Sequence, residues 1–453
     1  MYYNRKNIHR QIFFFGLTLV AIGLPASNFL MSFGQIVLFA NWLIEGKYLM
    51  KFSLFFRNYL ALALSSLFVM HILGLIHTTD FDYAYLDLRT KIPLLTLPLI
   101  IASTEPLDGK HFSNLILIFI GAVLFSTLAS IYNMLSMHYI DIRDVSIFIS
   151  HIRLSLLICL SIFILAYYTF CSEGFDSKVR ILFILVSLWF LAFMLITECI
   201  TGLIILFATG IIIGLVQVFN VRKIGSKLLI LAGIAVVSCI SFFYVYNIYK
   251  QDILIDKEKL GKLEMVTPHG NPYVHDTLNQ ETENGHYVRR YVCDEELRQT
   301  WNKKSKVDYD GVDQRGQILK STLLRFLTSK GLRKDTDGIA SLSSNEIESI
   351  EHGVANIKCM NEHSLRTRIY EILWEYENYK ITANPNGHSL MQRLEYWKTS
   401  MELIKQNPFF GVGTGDMNIA FANQYKKMNS PLDKKMRLRS HNQFLSIAVG
   451  FGI

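Results

Sequence analysis

Leu438-Arg439-Ser440-His441-Asn442-Gln443-Phe444-Leu445-Ser446-Ile447-Ala448-Val449-Gly450-Phe451-Gly452-Ile453 carries a polar, basic approach into an apolar run. Arg437 and Arg439 precede the His441-Asn442 pair, and the run behind it has the character of a membrane-entering helix. An imidazole at that junction lies where an outer loop meets the bilayer, a place to act on a lipid-linked substrate. The remainder of the chain reads as the membrane frame, the polar segment and the cations such a histidine needs.

Hydrophobic residues make up 51% of the 453 and aromatic residues 13%. That is too apolar for a soluble protein and too interrupted by charge for uniform burial in lipid. An all-α polytopic membrane protein with one large polar insertion is expected. No small-residue cleavage site follows the basic start Arg5-Lys6…Arg10, so the first span itself is read as the targeting signal. The net charge of +8 fits basic turns plus cations in the polar segment, and nothing points to nucleic acid. Six cysteines without Cys-x-x-Cys spacing predict no zinc site and at most one disulfide.

About nine spans are expected over residues 1–248. Residues 12–44 are broken at Pro25-Ala26-Ser27-Asn28 into two short helices, because one span needs only about 20 residues. Further spans are placed at 54–76, at a proline-shortened stretch ending near Ser103, and at 113–137, 152–171, 180–197, 201–219 and 228–248. The last ends in Phe242-Phe243-Tyr244-Val245-Tyr246, an interfacial aromatic cluster. With the N-terminus inside, the turns bearing Lys47 and Lys51, Lys178 and Arg180, and Arg222, Lys223 and Lys227 are all cytoplasmic. Residues 249–440 are then an outer, periplasmic loop domain, and 441–453 begin a further span. Within the loop, helices are predicted at 317–329, 345–380 and 389–406, the last stopped by Asn407-Pro408.

Three constellations stand out. His441 has an ordinary pKa near working pH and is suited to accept a proton from a sugar hydroxyl, although an interfacial or N-capping pair is the alternative. Arg393-Leu394-Glu395-Tyr396-Trp397 leads on to Pro408-Phe409-Phe410-Gly411-Val412-Gly413-Thr414-Gly415-Asp416. Alternate glycines there let backbone amides approach a phosphate, or simply form a tight turn. Cations mark outer span ends: Arg89, Lys91, Arg143 and Arg153, with snorkelling to lipid phosphate as the competing role. Asp308-Tyr309-Asp310 and Asp335-Thr336-Asp337 are declined as nucleotide-sugar motifs because they fall in the outer loop. His269, His275, His286, His352, His363 and His388 lack metal-ligand spacing and read as solvated loop residues.

Taken in order, these parts resemble the bacterial O-antigen ligase family, membrane glycosyltransferases also grouped with O-antigen polymerases. The likeness rests on Arg393 and Trp397, on Pro408, Gly411 and Gly413, and on His441-Asn442 with Gly452, joined by Leu88–Leu95 and Ser150–Leu156. The long loop is similar to that of members from Bacteroidota. The resemblance implies a C-type glycosyltransferase-like helical bundle in the bacterial inner membrane. It implies transfer without metal or cofactor from an undecaprenyl-pyrophosphate-linked glycan to an acceptor hydroxyl, with lipid A-core as acceptor in ligases. Repeat-unit polymerase and protein O-oligosaccharyltransferase are the alternatives, and a transporter without chemistry is the alternative of another class. His441 is then the base, and Arg393, Arg153, Lys91 and Arg439 are the candidates to hold the pyrophosphate. Where the family often has Ser-Arg-Thr-Gly, this chain has Cys199-Ile200-Thr201-Gly202, and the family continues with further helices beyond the position of Ile453.

Overall fold

A computed structural model of the chain describes residues 2–136, 142–254, 262–360 and 364–453. His363 lies outside the described residues, as does the side chain of Arg143. The described part of the N-terminal half is built from helices: α1 (Tyr2–Ala26), α2 (Asn28–Glu45), α3 (Tyr48–Arg57), α4 (Tyr59–Leu73), α5 (Phe81–Lys91), α6 (Pro93–Ser103), α7 (Gly109–Ser136), α8 (His151–Phe170), α9 (Ser177–Ile196), α10 (Ile200–Asn220) and α11 (Ile224–Ile248). The break in the first apolar stretch falls at Ser27, whose hydroxyl accepts from the Leu30 amide and so caps α2.

Seven helices among the described residues are long and apolar enough to cross a membrane, which with the helix-dominated fold makes this an all-α multi-pass membrane protein. Two of the nine expected spans fall outside that set. Helix α2 has 18 residues and α6 only 11, and 11 residues rise roughly 16 Å, about half the hydrocarbon thickness. The span expected at 54–76 is itself interrupted: Asn58 ends α3 and its side chain accepts from the Ala61 amide, starting α4 afresh.

The later helices are α12 (Asp294–Lys304), α13 (Leu319–Ser329), α14 (Thr336–Ala340), α15 (Ser344–Glu351), α16 (Leu365–Thr382), α17 (Ser389–Gln406), α18 (Met417–Lys427) and α19 (Gln443–Phe451). Thr282–Glu283 and His286–Tyr287 form a short antiparallel ladder. The helices expected near 317–329 and 389–406 are present as α13 and α17. The helix expected over 345–380 is two, because Gly353 turns into left-handed backbone after α15 and the Asn356 side chain caps a separate short turn at Ile357–Cys359. Helix α12 shows little apolar periodicity. It is favoured instead by Asp294, Glu295 and Glu296 in its first turn and Lys303 and Lys304 in its last.

The chain forms two compact units: residues 1–133, 146–187 and 384–453, and residues 134–145 and 188–383. The second has its own core around Trp301, Tyr309, Leu323, Phe326 and Ile350. In the first, Tyr396 and Leu403 of α17, Phe421 and Tyr425 of α18, and Val449 of α19 share one cluster. The candidate site is built on that cluster.

Candidate active site

The segment leading to His441 leaves a short 3-10 turn at Lys434–Met436, and its carbonyls are tied down at every second residue. The Tyr396 hydroxyl donates to the Met436 carbonyl (2.9 Å), the Tyr425 hydroxyl to the Leu438 carbonyl (2.7 Å) and the Trp397 indole N–H to the Ser440 carbonyl (3.1 Å). These aromatic donors stand on α17 and α18, so the packed helices fix the path of Arg437, Arg439 and His441. Trp397 therefore holds the residue immediately before the histidine.

His441 itself has left-handed backbone, φ 46°, a conformation costing about 1 kcal/mol or more for a residue with a Cβ. Its neighbours impose it. The Ser440 hydroxyl, fully buried, donates to the Asn442 carbonyl (2.9 Å), and the Asn442 carboxamide oxygen accepts from the Phe444 and Leu445 amides as the N-cap of α19. Asn442 is therefore a cap, while the His441 ring is left exposed beside the Tyr396 ring, with centroids 5.4 Å apart. Partial burial holds the His441 pKa below its ordinary value, and the charges of Arg393 and Arg439 push in the same direction. The shift favours the uncharged ring, the form able to accept a proton. Among the described residues no carboxylate forms an ion pair with Arg393, Arg439 or His441, so the cluster is a concentration of positive charge without a counter-ion.

The glycine strip does something different from cradling phosphate. The Val412 and Gly413 amides donate to the Val449 and Gly450 carbonyls at the end of α19 (2.9 and 3.0 Å). The Thr414 amide donates to the Gly74 carbonyl, and its hydroxyl to the His71 carbonyl, at the end of α4. The Gly415 amide donates to the Thr78 hydroxyl. All four amides are used up within the protein, two of them on the Val449 and Gly450 carbonyls at the end of α19 that would otherwise be orphaned. A Cβ on Gly411 would lie 2.2 Å from the Gly450 carbonyl carbon, and one on Gly452 2.5 Å from that of Phe409; the Ile453 amide meanwhile donates to the Pro408 carbonyl. Pro408, Gly411, Gly413 and Gly452 are thus one packing joint, and of the two readings open from the sequence the tight turn is the one observed.

The other cations are differently placed. Lys91 ends α5 with its ammonium bonded to Asp87, which also faces His71 across 3.8 Å. Arg153 lies in the first turn of α8, exposed, with no ion pair among the described residues. Arg89 is exposed on α5. Tyr83 and Tyr425 belong to no motif, and Tyr396 and Asp416 stand in the quoted stretches without an assigned role. Tyr396 sits inside the Arg393…Trp397 stretch and could have been found by helical spacing, whereas Tyr83 and Asp416 reach the site only through the fold. Among the described residues no His, Cys, Asp and Glu group is arranged to hold a metal, and no disulfide joins the described cysteines.

Residues 339–453 match the family model described as O-Antigen ligase, which contains every residue of this cluster on α17, α18 and α19. Over that C-terminal segment the chain is similar to O-antigen ligase/polymerase family membrane proteins, a likeness that points to activity of that type. No curated protein and no solved structure matches the chain.

Proposed function

With a C-terminal segment of the O-antigen ligase type as premise, we propose that the chain moves a glycan from undecaprenyl pyrophosphate to an acceptor hydroxyl at the periplasmic face of the bacterial inner membrane. The leading acceptor is lipid A-core. The observation that carries this is the convergence of Arg393 and Arg439 on His441 with no carboxylate paired to them among the described residues.

In this reaction His441 takes the proton of the acceptor hydroxyl as its oxygen bonds to the anomeric carbon. The anomeric C–O bond to pyrophosphate breaks on the opposite side, with inversion, and the departing oxygen takes the electron pair. Arg393 and Arg439 hold the charge that develops there, and such preorganised cations are worth more in a partly desolvated site than in water. Lys91 and Arg153 are the further candidates from the family likeness, Lys91 after release from Asp87. Pyrophosphate raises the His441 pKa as it binds, because it offsets the two arginines, and so strengthens the base when the donor is present. The exposed Phe409, Phe410 and Phe444 offer apolar surface to membrane lipids or to the polyprenyl chain.

The test is His441→Asn in the intact gene, read by gel analysis of lipopolysaccharide after membrane expression has been confirmed. Loss of long glycan from the lipid core with accumulation of polyprenyl-linked polymer supports ligation. Core bearing single units marks a polymerase, and loss of glycan from protein alone marks an oligosaccharyltransferase. An unchanged profile with the variant present in the membrane removes the base and, with it, the transfer reaction.

A further inference from the structure

The site has a third wall that none of the family-like motifs includes. Arg439 is exposed and has no ion-pair partner among the described residues, yet its guanidinium carbon lies 5.6 Å from the centroid of the Tyr83 ring on α5. That is within the roughly 6 Å over which a cation is attracted to an aromatic face. The Tyr83 hydroxyl also interacts with Arg439 and with Asn418. The ring is itself fixed by a relay that starts in the glycine strip. The Asp416 carboxylate accepts from the Thr79 amide (2.9 Å), the Thr79 hydroxyl (2.8 Å) and the Asp80 amide (2.9 Å), across more than three hundred residues of chain. The Asp80 carboxylate in turn accepts from the Tyr83 amide (2.9 Å) and caps α5. Burial works against ionisation of Asp416, but the hydrogen bonds from Asp80 and Thr79 outweigh it and hold the carboxyl below its ordinary range.

We infer that Tyr83 is a positioning residue for the proposed transfer: its ring face aims Arg439 at the pyrophosphate of the lipid-linked donor, and Asp416 places that ring. The inference rests on the glycan-transfer reading and adds to it a residue from α5, far from the matched segment in sequence. The chemistry is appropriate. An arginine anchored by an aromatic residue keeps its charge uncompensated and most of its five N–H donors available to an anion, whereas one paired to a carboxylate does not. An aromatic face also keeps the guanidinium from swinging out to lipid phosphates, which compete for the same charge.

The experiment measures donor KM and kcat on the intact protein in membranes, with a polyprenyl-pyrophosphate-linked glycan as donor, for Tyr83→Phe, Tyr83→Leu, Arg439→Gln and Tyr83→Leu/Arg439→Gln. Tyr83→Phe keeps the face and is expected to stay within about twofold of the parent. Tyr83→Leu is expected to raise donor KM by roughly two- to tenfold with a smaller change in kcat, the range a partly exposed cation–π contact supplies. Arg439→Gln raises KM in the same way, and the double variant is no worse than Arg439→Gln alone. Tyr83→Met serves as a second apolar variant at matched protein level. The inference is overturned by a Tyr83→Leu enzyme that matches the parent while Arg439→Gln is impaired, or by effects that multiply in the double variant. Tyr83→Phe as impaired as Tyr83→Leu also overturns it, because the hydroxyl and not the ring face is then what matters. It is equally overturned if both apolar variants fail to accumulate where Tyr83→Phe does, since Tyr83 is then a packing residue. An active His441→Asn variant, assayed alongside, would instead sink the transfer reading itself.

Discussion

At the scale of single residues, His441 combines an exposed ring, left-handed backbone and a lowered pKa. Asparagine tolerates the same backbone without supplying a base, so His441→Asn should fold and lose on the order of 10²–10⁴-fold in rate, measured as kcat on membranes of equal protein content. The pH profile carries a sign. A base must be unprotonated to act, and burial with Arg393 and Arg439 holds His441 below its ordinary value, so kcat/KM should be flat at neutral pH and decline only below that value. Replacing Arg393 by Gln removes one of the two cations, raises the His441 pKa and shifts the acid limb of the residual activity to higher pH. An unmoved limb would mean that a different group titrates. Trp397→Phe keeps an aromatic ring but loses the bond to the Ser440 carbonyl, at a cost of about 1 kcal/mol; the expected result is a modest fall in kcat with expression retained. His441, Arg393 and Trp397 were legible in the sequence because each is a distinctive residue type in a recurrent order. Asn442 was legible only as one of two alternatives, and the capping distances decided for the helix cap.

At the scale of elements, the glycine strip joins the end of α4, the end of α19 and, through Asp416, the start of α5. Gly411→Ala combines a left-handed backbone with a Cβ 2.2 Å from main chain, and Gly452→Ala is similarly crowded. Each is expected to cost roughly 3 kcal/mol or more and to reduce the amount of folded protein in the membrane, read by fluorescence-detected size-exclusion chromatography. Gly109→Ala is the control, with nothing within 4 Å of the added carbon, and should behave as the parent. A Gly411→Ala protein of normal yield that fails only to bind donor would restore the phosphate-cradling role. The spacing of these glycines offered no way to choose between turn and cradle, because both need small residues; the choice lies in where the amides point. Helix α18 was equally hidden. Its buried residues Met417, Phe421, Gln424 and Tyr425 mix polar with apolar and lie just behind a glycine-rich turn.

At the scale of the whole molecule, the count of spans fixes which side of the membrane the polar segment occupies. The nine expected spans and the seven long apolar helices are both odd numbers, since α2 and α6 enter or leave together. With the N-terminus inside, the polar segment is therefore expected outside on either count. Cysteine introduced at Thr277, in a background lacking the native cysteines, should react with a membrane-impermeant maleimide in intact spheroplasts, and one at Lys223 should react only after permeabilisation. The reverse pattern would invert the topology and place the proposed site away from periplasmic substrates.

The sequence by itself determined the class of protein and its membrane frame, because hydrophobic length and helix-stop signals are local properties that lipid and backbone geometry read directly. The family likeness of its ordered motifs named the residues of the charged cluster on α17 and before α19 as candidates. Only the tertiary structure decided that residues 384–453 pack with the N-terminal spans, that the glycine amides are spent inside the protein, and that Tyr83 of α5 stands over Arg439. Those outcomes depend on hydrogen bonds and close contacts between residues hundreds of positions apart, such as Asp416 with Thr79 and Thr414 with His71. No spacing along the chain encodes which distant carbonyl a given amide will meet.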